Sequence, residues 1–470
     1  MGFKRKKLGK FGNFSDLFSW LRESFINMAF SLKLFLVILS FGILFHLSSY
    51  AIDFGRGLVN SAVVTFVQTM SSTVGEEMST DKFGQVNALL LGADEGNLAD
   101  SIIVASFVPD EGLVSMLSIP RDLYVENSSL NYQGRINGII PTTYNRTDSL
   151  EEGIWNLSDT INDITGVEID YYAMIDFDGF VNFIDKIGGI QVDVPYSIVD
   201  NQFPTPDGGY QTFKVDEGLQ QFDGEKALKY ARSRQTTSDF SRAERQQLII
   251  SGIIDELKSM NVFTDFGQLQ DLYAEVNQMV DTNISYRQIF GMINYVDDIN
   301  GIHTQVLTAD CERSHYTVME PGCFLYYPRR DNFGGHSVLL QQGANAGNFS
   351  NYKEIQNYAF FVLHNQGFLQ ENSSIEILNG ISRQAMLEEF QRVTPVASNF
   401  AKQLVKYGFN IKEVDNYEDD EIEENIIYTN SKEDNKVTLN LLRMFMEVGE
   451  IIEDPSLESD IQIVLSDNFL

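Results

Sequence analysis

Leu34–Ile52, "LFLVILSFGILFHLSSYAI", is a run of nineteen residues without a formal charge, and few folds can accommodate it. At about 1.5 Å of rise per residue, a helix of this length just crosses a hydrocarbon core of roughly 30 Å. A cleaved signal peptide and a buried helix are the competing readings. No small-residue cleavage pattern follows the run, and basic residues precede it. Residues 1–33 carry seven basic side chains against Asp16 and Glu23, a net of +5. A basic flank orients a span with that flank inside. The sequence therefore predicts a single-pass cell-membrane helix over 34–52, with a cytoplasmic N-terminus over 1–33 and the main domains extracytoplasmic.

The other 437 residues carry a formal charge of −37, from a total of −32 for the chain. A body so acidic repels a polyanion over distances set by salt screening, which argues against nucleic acid as a partner. With 470 residues, 43% of them hydrophobic, two or three folded units are expected. Cys311 and Cys323 lack the His or Cys neighbours of a zinc site. Their spacing in an exported, loop-like segment predicts one disulfide.

Hydrophobic patterning predicts a mixed α/β protein. "VNALLLGADEG", "DSIIVASFV" and "LVSMLSI" read as apolar strands around tight turns, "YYAMIDF" and "GIQVDVP" as further strands. "LEEGIWNLSDTINDITG" has helical spacing of Ile154, Leu157, Ile161 and Ile164. The expected layout is a helical stem over 53–84, a larger α/β domain over 85–345, a linker over 346–372 and a small unit over 373–470. That last unit reads as β-α-β-β-α-β, its first helix interrupted near Pro395.

Against this acidic background, Arg232–Gln246 ("RSRQTTSDFSRAERQ") places four arginines in fifteen residues. "FDGEKALKYARSRQ" reads as a helix carrying Arg232 and Arg234 near its end. A second helix starts at a Ser241/Glu244 capping box, with Arg242, Arg245 and Gln246 in its first turn or just beyond. Arginines there oppose the helix dipole at roughly 0.3–1 kcal/mol each when exposed, and a bound anion reverses that sign. The cluster suits a compact phosphate; the competing reading is a solvated face paired with the abundant carboxylates. Arg121, in "SIPRDLYVE", and Arg135, in "GRINGI", are further basic points. Asp94 ends the first strand and Asp100 opens the next, so that both could lie at one sheet edge. Beside a phosphate they would suit Mg²⁺, which typically takes one or two carboxylates and completes its shell with water and phosphate oxygens.

These blocks, "LLLGADEGNLADSIIVASF", "SIPRDLYV" with "GRINGI", "IDYYAMIDFDGFVNFIDKIGGIQVDVP" and "ALKYARSRQTTSDFSRAERQQLII", resemble the LytR-CpsA-Psr family of bacterial cell envelopes. The C-terminal unit, with "IEILNG", "LVKYGF" and "IQIVLSD", resembles the LytR C-terminal domain of some members. The resemblance implies a mixed-sheet core domain with helices on both faces. It implies a membrane-anchored phosphotransferase that moves a glycopolymer from an undecaprenyl-pyrophosphate carrier to peptidoglycan. It matches Asp94 and Asp100 to Mg²⁺ and Arg121, Arg135, Arg232, Arg234, Arg242, Arg245 and Gln246 to the pyrophosphate. Arg121, Asp122 and Asp239 are the residues expected to act in catalysis. The lipid tail would lie in an apolar tunnel for which "DFDGFVNFIDKIGG" is a candidate lining. The stretch "YSIVDNQFPTPDGGYQTF" is an insert placed to reshape the pocket mouth. The alternatives are a polyprenyl-phosphate-binding regulator without turnover and a wall scaffold.

Overall fold

The computed structural model describes residues 76–470 apart from 95, 206–207, 234–238, 260–272, 297–298, 300, 310–323, 346–347, 391–394 and 418–421. The expected membrane span, Arg234 and both cysteines lie outside the described residues, as do the side chains of Asp239 and Arg242. Among the described residues, no helix is long and apolar enough to cross a membrane.

Three apolar strands, β1 (Val86–Ala93), β2 (Ala99–Val108) and β3 (Leu113–Ser118), form an antiparallel meander. Gly112, at φ 65°, supplies the left-handed residue of the tight turn between β2 and β3. A short hairpin of β4 (Tyr124–Asn127) and β5 (Tyr132–Arg135) follows. β6 (Tyr171–Ile175) runs parallel to β1. Next come β7 (Ile190–Val194), β8 (Ile198–Pro204), β9 (Tyr210–Val215) and β10 (Gly218–Phe222). β8 pairs with β9 and β7 with β10, so the insert read from the sequence is a hairpin inside a β-rich excursion. β11 (Val280–Thr282) and β12 (Gly301–Val306) complete a six-stranded mixed sheet of order β11-β6-β1-β2-β3-β12.

Strand alternation sends side chains to two different layers. Leu89, Leu91, Ile102, Val104 and Leu117 meet Ile154, Leu157, Ile161 and Ile164 of the helix Leu150–Thr165. That helix starts where Ser149 accepts a hydrogen bond from the Glu152 N–H (3.1 Å) and stops at Gly166, φ 73°. On the other face Ile103, Val114 and Met116 cluster with Leu90, Phe107 and Ile250, the last on the helix Asp239–Ser259. Both faces are covered, which is why these strands read as continuous apolar runs rather than as alternation.

After a small pair, β13 (Leu325–Tyr326) and β14 (Leu340–Gln341), the C-terminal region builds a five-stranded mixed sheet. Its strands are β15 (Ser374–Asn379), β16 (Asn410–Asn416), β17 (Ile426–Thr429), β18 (Glu450–Glu453) and β19 (Ile461–Leu465), in order β16-β15-β19-β17-β18. The β-α-β-β-α-β order expected from the sequence omits β18. "EIIE" is four residues long, lies at the sheet edge and buries neither glutamate, so it carries no strand periodicity. The helix expected to break near Pro395 does so, as Arg383–Phe390 and Val396–Lys406. Between the sheets, Phe361, Val362 and Leu363 of a π-helical turn join Phe368, Tyr407 and Phe409, so one hydrophobic cluster runs from the central sheet into the C-terminal one.

Candidate functional site

A register shift in the central sheet creates the site. Gly92 pairs with Ser101 and Ala93 with Ala99, leaving Asp100 as the extra residue of a β-bulge. A bulge re-aims the side chain it carries. Gly92 permits the approach: a Cβ there would lie 3.3 Å from Cβ of Ser101. Just past β1, Asp94 closes its own turn by accepting at Oδ1 from the N–H groups of Gly96 (2.9 Å) and Leu98 (3.0 Å).

Arg121 leaves the end of β3 on a turn closed by the Leu123 N–H to the Pro120 carbonyl (3.0 Å). Its Nη1 donates to Asp100 Oδ1, and its Nε lies 3.9 Å from Asp122 Oδ2. Arg135 Nε lies 3.3 Å from Asp122 Oδ1, and its Nη2 donates to the Ser337 carbonyl (2.9 Å). The order Asp100, Arg121, Asp122, Arg135 is thus a row of alternating charge, with Asp122 held between two guanidinium groups.

Between the second face of the sheet and its covering helices lies a cavity of about 930 Å³. Leu90 and Ile103 line it from the sheet, Phe180 and Phe183 from the helix Phe177–Lys186, and Ile249 and Ile253 from the long helix. Asp100, Ser101, Arg232 and Gln246 are polar residues of its wall, and Ser101 Oγ donates to Gln246 Oε1 (2.9 Å). A second cavity of about 180 Å³ shares Asp100, Ser101 and Gln246 with the first and adds Arg121 and Asp122. Asp100 therefore stands where an apolar chamber and a polar one meet.

Arg232 ends the helix Gly224–Arg232, and its guanidinium sits 4.2 Å from the centroid of the Phe177 ring, a cation–π contact. The approach of the two helices needs a glycine, because a Cβ on Gly224 would lie 2.2 Å from the Val181 carbonyl oxygen. Arg245 departs from the expectation. It is 1% exposed and lines neither cavity. Its Nε donates to the Tyr230 carbonyl (3.0 Å) and its Nη2 to the Ser233 carbonyl. Burial lowers the Arg245 pKa from the ordinary arginine value, with Tyr196 and Tyr230 opposing. Burial likewise pushes the Tyr230 hydroxyl up to about 12.

The structure thus brings Asp100, Arg121, Asp122, Arg135, Arg232 and Gln246 to the two cavities or to side chains that line them. Asp94 lines neither cavity. Sequence reasoning missed Gln247, 2% exposed, whose Nε2 donates to Ser118 Oγ (2.9 Å) and the Gln305 carbonyl (2.7 Å). These bonds fasten the long helix to β3 and β12. The available signal was its helical spacing with Ile250 and Ile254 on an inward face. It also missed Asp200 of β8, which lines the larger cavity.

Residues 59–329 match the LytR_cpsA_psr family. The chain belongs to that family. Residues 372–469 of this LytR_cpsA_psr protein match the LytR cell envelope-related transcriptional attenuator domain. TagV of Bacillus subtilis is 31% identical over 190 residues, covering 40% of this chain and 45% of that protein. TagU of Bacillus cereus is 30% identical over 234 residues, covering 48% of this chain and 69% of that protein. Both are named polyisoprenyl-teichoic acid–peptidoglycan teichoic acid transferases. The matched region spans less than half the length of TagV. The crystal structure of B. subtilis TagV aligns with a TM-score of 0.45 at 22% identity, over 60% of this chain and 98% of that one.

Proposed function

We propose that this protein is a membrane-anchored phosphotransferase that moves a glycopolymer from a polyprenyl-pyrophosphate carrier to peptidoglycan. The carrying observation is the apolar chamber of about 930 Å³ whose wall includes Asp100, Arg232 and Gln246, next to the polar cavity with Arg121. That volume is at the upper end for small-ligand sites, and its aliphatic and aromatic lining suits an isoprenoid chain. The names of TagV and TagU as teichoic acid transferases support the same substrate class. The membrane anchor over 34–52 and an extracytoplasmic domain belong to this proposal.

In the proposed reaction an acceptor hydroxyl attacks the sugar-side phosphorus. A new P–O bond forms, the P–O bond to the lipid phosphate breaks, and polyprenyl phosphate leaves with the electron pair; a carboxylate of the site takes the hydroxyl proton. Arg121 and Arg232 neutralise the oxygens on which charge grows. Asp122 and Gln246 orient these groups through Arg121, Arg135 and Ser101. Arg234, Arg242 and Asp239 are assigned by their places in the arginine cluster.

Mg²⁺ is part of the proposal. Asp94 and Asp100 are both held through Oδ1, which leaves their Oδ2 atoms as hard oxygen donors. Among the described residues there is no group of three or more His, Cys, Asp or Glu side chains able to hold a metal, so the ion would have to take its remaining ligands from phosphate and water. When bound, the ion would supply charge neutralisation at the diphosphate. The test is transfer from a synthetic polyprenyl-pyrophosphoryl saccharide to a peptidoglycan oligomer, with and without Mg²⁺. Product is expected only with metal. Tight donor binding with no product, under conditions where a known transferase works, would instead establish the binding-only regulator.

A further inference from the structure

The buried polar groups behind the arginine cluster form a connected set that the proposed chemistry does not use. Ser233 directly follows Arg232. Its carbonyl accepts from Arg245 Nη2, and its hydroxyl donates to Asp200 Oδ2 (2.9 Å). Asp200 Oδ1 accepts from the Gln202 N–H (3.0 Å), so the carboxylate also shapes the β8–β9 hairpin. That hairpin reaches the larger cavity through Gln202, Pro204 and Tyr210. Asp200 is 2% exposed and Arg245 1% exposed, so neither is a solvated surface charge.

A buried polar or charged side chain is costly unless it is hydrogen-bonded, and each of these two residues makes one of its bonds to Ser233. Arg245 holds the Ser233 backbone and Asp200 holds its side chain, from opposite elements. Arg232, one residue earlier, keeps its guanidinium over Phe177 in the cavity wall. We infer that Arg245 and Asp200 are positioning residues that clamp Ser233 and thereby fix where Arg232 meets an anionic headgroup. The insert hairpin is then a structural part of the headgroup site. This inference rests on the proposed diphosphate-lipid reading for its functional consequence, and on Phe177 and Ser233 alone for its geometry.

Direct electrostatics and positioning predict opposite signs at Asp200. Removing a negative charge from the wall of an anion site should, by Coulomb attraction alone, strengthen diphosphate binding. Loss of the clamp should weaken it.

The experiment uses the full chain in detergent micelles, with 4-fluorophenylalanine replacing Phe177 so that the fluorine resonance reports the guanidinium above the ring. Asp200→Ala, Arg245→Gln and the milder Ser233→Ala are compared with Arg232→Ala. The fluorine signal of each is expected to move toward that of Arg232→Ala. Affinity for polyprenyl pyrophosphate should fall roughly tenfold, the scale of a lost charge-assisted hydrogen bond. Affinity for polyprenol of equal length should stay unchanged, a split that general misfolding would not give. Combining Arg245→Gln with Arg232→Ala should add nothing to Arg232→Ala alone. An unmoved fluorine signal, additive losses, or tighter binding by Asp200→Ala would overturn the inference. Equal wild-type affinity for polyprenol and its pyrophosphate would instead overturn the proposed function, while the fluorine comparison still decides the clamp. Should Arg245→Gln fail to fold, Ser233→Ala and Asp200→Ala carry the same test.

Discussion

The two faces of the central sheet are built from the same strands and do opposite things. On one face Leu89, Ile102 and Val104 pack against the helix Leu150–Thr165. On the other, Leu90 and Ile103, one residue away in each strand, look into a chamber of about 930 Å³. Strand alternation alone sorts the residues, yet one face is packed and the other is hollow. The difference lies in what covers each face. A helix with apolar residues in register lies flat on the first. The second is covered by the helices Phe177–Lys186 and Asp239–Ser259 together with the β8–β9 hairpin, and these leave room between their aromatic and aliphatic side chains. Stability is concentrated on the packed face and binding on the hollow one.

Arg121→Ala should give the largest effect, a loss of about a hundredfold to a thousandfold in transfer, with the melting temperature nearly unchanged. Transfer measured against a lipid-linked donor checks it, and a variant with intact turnover would separate the polar cavity from the reaction. Leu157→Ala should cost about 2–5 kcal/mol in chemical denaturation, because it empties space in a face that is otherwise full. Its affinity for the lipid donor should stay at the wild-type value; a parallel collapse of binding would erase the distinction between the faces.

Leu90→Trp sharpens the comparison from the other side. Filling the hollow should lower donor affinity at least about tenfold while changing stability by less than about 1.5 kcal/mol, since the added volume meets empty space. Calorimetric titration and denaturation of the same sample read both numbers.

The smallest effect concerns pH. His364, in the π-helical turn that joins the packed face to the C-terminal sheet, places Nδ1 2.5 Å from Gln85 Oε1 and 3.8 Å from Asp81 Oδ2. Burial lowers its pKa; Asp81 opposes this and Lys82 adds to it. A histidine whose folded pKa lies below its unfolded value, about 6.5, leaves the unfolded chain holding more protons in acid. The stability it contributes is therefore complete above about pH 6.5 and declines as pH falls below that value. His364→Gln should flatten the acid limb of the melting temperature between neutral and mildly acidic pH. An unchanged limb would place the acid sensitivity elsewhere.

Much of the site was legible in the chain. Asp94 and Asp100 fall at a strand end and the next strand's start, Arg121 after β3, and Arg232 at a helix end, because each borders a local apolar run that defines its element. The bulge was not legible. "GADEGNLADS" reads as two strands and a loop, and only the cross-strand register of Gly92 with Ser101 makes Asp100 the unpaired residue. Nor was the direction of Arg245 legible. It shares a cluster with Arg232 and Gln246, yet its helical phase turns it toward the carbonyls of Tyr230 and Ser233 rather than into a cavity. The edge strand β18 escaped because two exposed glutamates flanking two half-buried isoleucines carry almost no periodic signal.

Sequence alone determined the α/β class, the packed helix through the spacing of Ile154, Leu157, Ile161 and Ile164, and the residue types that could meet a phosphate. Those are local properties: side-chain period, capping chemistry and charge set against an acidic background. Only the tertiary structure decided which arginine faces the chamber and which is buried as a clamp, and that one sheet face is left hollow. Such outcomes depend on register and on the distance between covering elements, quantities that exist only once segments far apart in the chain have packed together.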